Sequence, residues 1–166
     1  RRQPAFMQLL VVGAGEMGRW FARHAGADAV AFADRDPDTA RAAASTLAGD
    51  ARAVALDTEA SFDVVCVAVP MSAIPEAIAT HADTATEAVV DVSGEMRDSV
   101  AALQSHAAGR ERASLHPLFS AANAPGNIPI VVDRGGPTID RIRESLSAAG
   151  NDLFETTVEA HDQAME

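Results

Sequence analysis

Lysine and tyrosine are both absent from this sequence of 166 residues. All 13 cationic side chains are arginines, set against 24 carboxylates, for a formal net charge of −11. A chain this acidic repels phosphate backbones, which excludes nucleic acid as a partner. Acidity without lysine suits a salt-rich cytoplasm, because at 1 M salt the Debye length of about 3 Å screens self-repulsion. The chain is therefore read as halophilic. High-GC codon bias also favours arginine over lysine, but does not by itself explain the net charge. A single cysteine, Cys66, excludes an internal disulfide and a multi-cysteine metal site, so no metal is expected. No apolar run approaches the ~18 residues of a membrane span, and no signal-peptide pattern opens the chain. A cytoplasmic protein with no membrane partner is expected.

What is present is a regular alternation. Short apolar runs at Met7–Val12, Ala29–Ala33, Arg52–Ala55, Asp63–Val69, Ala88–Val92, Ala113–Leu115, Ile128–Val132 and Leu153–Val158 read as strands. Between them, helices are predicted at Arg19–His24, Thr39–Ala48, Pro75–Thr80, Met96–Ala108 and Thr138–Ala149. Gly26, Gly49, Gly109 and Gly150 act as stops. Asp36-Pro37 is a cap followed by a first-turn proline. Strands alternating with helices predict an α/β fold, a doubly wound, mostly parallel sheet of Rossmann type. Residues 1–6 read as a leader or cloning remnant and 7–158 as the domain. Residues 159–166 read as the first turns of a truncated helical domain.

Gly13-Ala14-Gly15-Glu16-Met17-Gly18 joins the first strand to the first helix. In this setting the first glycine allows a tight turn, the second lets a pyrophosphate approach, and the third lets the helix pack on the sheet. The helix N-terminus adds unpaired N–H groups and a partial positive charge. These six residues are candidate cofactor ligands, together with Val69 and Pro70 at the end of the most apolar strand. Asp34 ends the second strand, where a carboxylate accepts from ribose hydroxyls and disfavours a 2′-phosphate. NAD is therefore expected in preference to NADP, with Arg35 beside it as the group that would accommodate the extra phosphate.

Ligands of an open parallel sheet bind beyond the carboxyl ends of its strands. Ser93 and His116 fall there, and Pro117 restrains the histidine. A histidine so placed can serve as a general base, although an exposed loop histidine fits the position nearly as well. His24, His81 and His106 read as surface residues, and Cys66 as a buried structural thiol.

Together GAGEMG at 13–18, VCVAVP at 65–70, DVSG at 91–94, HPLFS at 116–120 and AHD at 160–162 resemble the prephenate/arogenate dehydrogenase family of tyrosine biosynthesis. The resemblance runs from Met7 to the end of the chain. It implies NAD-dependent oxidative decarboxylation of prephenate to 4-hydroxyphenylpyruvate, with His116 accepting the hydroxyl proton. It also implies Ser93 and His161 near the substrate, and a homodimer formed through a helical domain. Where the family often has D-x-x-S-x-K, this chain has Gly94 and Met96 at the serine and lysine positions, with Ser93 and Arg97 one residue away. The competing readings are arogenate dehydrogenation, another NAD(P)-dependent oxidoreductase of similar layout, and a non-catalytic NAD-binding domain. The lack of lysine counts against oxidoreductases that use one in catalysis.

Overall fold

The computed structural model describes residues 5–166. Arg1–Pro4, most of the expected leader, lie outside the described residues. Eight strands form one sheet: β1 (Gln8–Val12), β2 (Ala29–Ala33), β3 (Asp50–Ala53), β4 (Phe62–Val67), β5 (Ala85–Val92), β6 (Glu111–Leu115), β7 (Asn127–Arg134) and β8 (Asp152–Glu155). Six helices accompany them: α1 (Glu16–His24), α2 (Pro37–Thr46), α3 (Ile74–His81), α4 (Arg97–His106), α5 (Pro137–Ala148) and α6 (Val158–Ala164).

The strand order is β3-β2-β1-β4-β5-β6-β7-β8. The chain starts in mid-sheet, winds outward to β3, then returns to β1's other side as β4. All pairings among β1 to β6 are parallel. This is the expected doubly wound α/β architecture, and the return between β1 and β4 opens a crevice at the strands' carboxyl ends. β7 runs antiparallel to β6, and β8 runs parallel to β7.

Alternate residues of the central strands serve opposite faces, because the side-chain period of a strand is two. Leu9, Val11, Phe32 and Val64 meet Phe21 of α1 and Ile142 of α5 on one face. Leu10, Val65, Val67 and Val89 meet Ile74 and Ile78 of α3 and Leu103 of α4 on the other. Burial on both sides explains the apolar run Val64–Val67 of β4.

The local signals hold at α2, where the Asp36 carboxylate accepts from the Asp38 N–H and Pro37 opens the helix. The last strand differs from expectation. It stops at Glu155 rather than Val158, because the Thr157 hydroxyl accepts from the Ala160 N–H and starts α6. α6 packs against the sheet domain through Val158, which meets Met96, Val100 and Val131. Among the described residues, no helix is long and apolar enough to cross a membrane.

Candidate active site

β1 ends at Gly13, whose φ of +101° is a conformation that side-chain-bearing residues rarely adopt. A methyl group there would also collide with the Ala68 carbonyl after β4, and one at Gly18 would collide with the Gly13 carbonyl. Both glycines are required by the fold itself. Gly15 differs: a Cβ built on it meets nothing within 4 Å. Its φ of −76° suits any residue, and no side chain caps α1. The first-turn N–H groups of α1 therefore face open space, where a glycine leaves room for a phosphate.

Asp34 is joined to this loop. One carboxylate oxygen accepts from the Ala14 N–H at 2.8 Å and the other from the Asp36 N–H at 2.8 Å. Each oxygen keeps a further lone pair. Asp34, Arg35, Gly13, Gly15, Val69 and Pro70 all line one cleft of about 660 Å³. His81 lines it too. The surface reading of His81 is thus corrected: the residue is buried, and burial lowers its pKa. It sits on the inward side of the last turn of α3.

Two strands further along, β6 runs into His116. The neighbouring loop is anchored to α1, since Phe119 meets Trp20 edge-on at 5.3 Å. His116 Nδ1 lies 2.7 Å from His161 Nε2, and His161 Nδ1 lies 2.7 Å from Asp162 Oδ1. The Asp162 carboxylate also accepts from the Met96 N–H at 3.1 Å and the Arg97 N–H at 3.0 Å, at the start of α4. The other ring nitrogen of His116 borders a small gap above Gly94: a Cβ on Gly94 would lie 3.6 Å from His116 Nε2 and 3.7 Å from Met71 Sδ.

Burial lowers the His116 pKa, the neighbouring His161 lowers it further, and Asp162 opposes them. Burial raises the Asp162 pKa, but the hydrogen bonds from His161 and the Met96 N–H outweigh it, and the carboxyl stays below its ordinary value. Glu95, beside it, is shifted up by burial and by the Asp162 carboxylate. Among the described residues, no group of three His, Cys, Asp or Glu side chains is disposed to hold a metal.

The structure thus brings His116 and His161 into contact. It does not present Ser93 to the cleft. Ser93 is buried, its hydroxyl donates to the Glu95 carbonyl at 2.7 Å, and it receives the Ser99 hydroxyl at 3.3 Å. Asp162 was not singled out from the sequence, although it stands next to His161 in the AHD motif. Beneath these groups Asp91 of β5 is fully buried. One of its oxygens accepts from the Ser114 hydroxyl at 3.1 Å, and the other has no partner. Burial pushes its pKa up to about 7.

A family model described as NADP oxidoreductase coenzyme F420-dependent matches residues 8–95, more than half of the chain. The chain belongs to that family. This member of the F420-dependent NADP oxidoreductase family is accordingly an NAD(P)-dependent oxidoreductase domain, and the glycine loop and open α1 terminus fit a nicotinamide dinucleotide. No curated protein matches the chain in sequence. Prephenate dehydrogenase from Aquifex aeolicus, solved with hydroxyphenyl propionate and NAD+, is similar with a TM-score of 0.80 and 17% identity over 99% of this chain and 64% of that one. Synechocystis arogenate dehydrogenase gives 0.75 and 18% over 96% and 63%. Mycobacterium tuberculosis 3-hydroxyisobutyrate dehydrogenase gives 0.73 and 20% over 97% and 58%. At these identities the likeness establishes the fold. The chain spans less than two thirds of the length of each of these structures.

The two kinds of glycine in the loop can be told apart by mutation. Gly15→Val is expected to weaken NAD(P) binding at least about tenfold, with Tm within about 2 °C of wild type, because only a ligand occupies the space beyond that Cα. Titration calorimetry and a thermal melt check both halves. Unchanged affinity would place the pyrophosphate elsewhere.

Proposed function

We propose that the protein is an NAD-dependent dehydrogenase that oxidatively decarboxylates prephenate to 4-hydroxyphenylpyruvate. The observation that supports this reading best is the His116–His161–Asp162 chain, which leaves one His116 nitrogen facing a gap on the cofactor's edge of the sheet. Gly13 to Gly18 would hold the diphosphate on the N–H groups of α1, and Val69 and Pro70 would flank it. Asp34 would accept from the ribose hydroxyls through its free lone pairs, which favours NAD over NADP, with Arg35 adjacent. When bound, NAD supplies the hydride acceptor.

His116 Nε2 would take the proton of the ring hydroxyl as that carbon is oxidised. The carboxylate on the opposite ring carbon leaves as carbon dioxide, and the ring becomes aromatic. Aromatisation drives the step, so the protein's share is orientation and proton removal. Gly94, where the family often has serine, stands beside Nε2 without supplying a hydroxyl. His161 is too deeply buried, at 3% exposure, to be a direct substrate contact in this arrangement.

A second reading follows from the family description: hydride exchange between NADP and coenzyme F420. The family match supports it, but the matched residues end at Glu95 and leave out His116, His161 and Asp162. A base of this kind is not needed for a bare hydride exchange. The full-length protein should reduce NAD with prephenate or arogenate, followed at the reduced cofactor's absorbance in dilute buffer and in molar KCl. Cofactor binding without turnover of either compound would exclude the proposal. Oxidation of NADPH by coenzyme F420 in a parallel cuvette would establish the alternative.

A further inference from the structure

We infer that Asp162 and His161 are positioning residues that hold His116 in the tautomer whose Nε2 lone pair faces the gap above Gly94. The catalytic half of the inference rests on the reading of His116 as proton acceptor; the tautomer itself does not.

The argument is a count of donors and acceptors. Asp162 receives two backbone N–H groups, from Met96 and Arg97, which suits an ionised carboxylate. An ionised carboxylate only accepts, so the contact at 2.7 Å requires a proton on His161 Nδ1. Neutral His161 then has a lone pair on Nε2. The second contact, also at 2.7 Å, in turn requires a proton on His116 Nδ1. Neutral His116 is left with its lone pair on Nε2, beside Gly94 and Met71. The orientation is fixed from the buried end outward: the His161 side chain is almost wholly enclosed, and Asp162 is tied to the first turn of α4. The other charged group against Asp162 is Glu95, which in turn faces Asp98, and Arg97 presents its backbone N–H.

The same chain has somewhere to put the proton it takes. As the substrate O–H breaks, an N–H bond forms at His116 Nε2. The Nδ1 proton can then move to His161 Nε2, which places the positive charge beside the Asp162 carboxylate. No electrons or further reactants are required, and the proton later returns to solvent by the reverse route.

The test is long-range ¹⁵N–¹H NMR of the full-length protein labelled at histidine, with signals assigned through His116→Asn and His161→Gln. The expected pattern is a protonated Nδ1 and bare Nε2 on both His116 and His161. A His116 protonated at Nε2 would overturn the inference. In Asp162→Ala, His116 should become a mixture of tautomers, and kcat should fall about 10–100-fold with KM within about threefold. A drop in kcat with the tautomer unchanged would mean a merely structural role and would also overturn it. His161→Gln keeps a carbonyl able to accept from His116 Nδ1, so it should retain more activity than His161→Leu; equal losses would count against the chain. If no variant and no wild-type protein turns over prephenate, the proposed function fails while the NMR still decides the tautomer.

Discussion

If the proposed prephenate oxidation holds, replacing His116 by Asn is expected to lower the turnover number by about 10²–10⁴-fold, the usual share of a positioned general base. NAD affinity should stay within about twofold, since the cofactor's phosphate loop lies three strands away in the sheet order. Asparagine can reproduce one hydrogen bond of the ring but cannot accept a proton near neutral pH. The pH profile supplies a second signature. The base works in its neutral form, and both burial and His161 lower the His116 pKa. The acid limb of kcat/KM should therefore fall below the ordinary histidine value of 6.5. Steady-state kinetics from pH 5 to 9 measure both effects. Near-normal turnover in the variant would remove His116 from the chemistry, and an acid limb above the ordinary value would contradict the burial argument.

Asp91 carries the other large effect, on stability. In the unfolded chain it ionises near 3.8, and in the folded protein at about 7, because complete burial disfavours the charged form more than the serine hydroxyls around it favour that form. Between those two values unfolding releases a proton, so raising the pH favours unfolding. The stability lost on crossing that window is on the order of 4 kcal/mol at most, and above pH 7 the loss is complete. Asp91→Asn cannot ionise and is spared it. The Tm of the variant relative to wild type should therefore rise by roughly 5–10 °C between pH 4 and pH 8, at a few degrees per kcal/mol for a chain of this size. Calorimetric melts of both proteins across that range check it, and the remaining carboxylates cancel in the difference. A pH-independent difference would mean that Asp91 is ionised throughout.

These two residues also show where sequence was informative. The apolar run at 64–67 and the glycine punctuation announced a doubly covered parallel sheet, because burial and chain reversal leave direct marks on composition. Strand direction leaves none: the period-two pattern of β7 is the same whichever way it pairs, so its antiparallel course was not legible. The phosphate loop was legible because each glycine answers a local steric demand. The histidine pair was only half legible. The resemblance put His161 near the cleft, but the contact spans 45 residues and needs α6 to fold back onto α4. Asp162 was passed over because a carboxylate in an acidic chain carries no signal until its partners are known. The resemblance implies Ser93 near the substrate, but the loop before α4 turns its hydroxyl onto the Glu95 carbonyl. The neighbouring Gly94, not Ser93, borders His116.

Docking of α6 has a practical corollary. The helix has seven residues, and it meets the domain through buried His161, the Asp162 carboxylate and the apolar contacts of Val158. Because His161 and Asp162 reach His116 only by way of α6, any change that shifts this helix on α4 would reach the imidazole pair without touching the sheet.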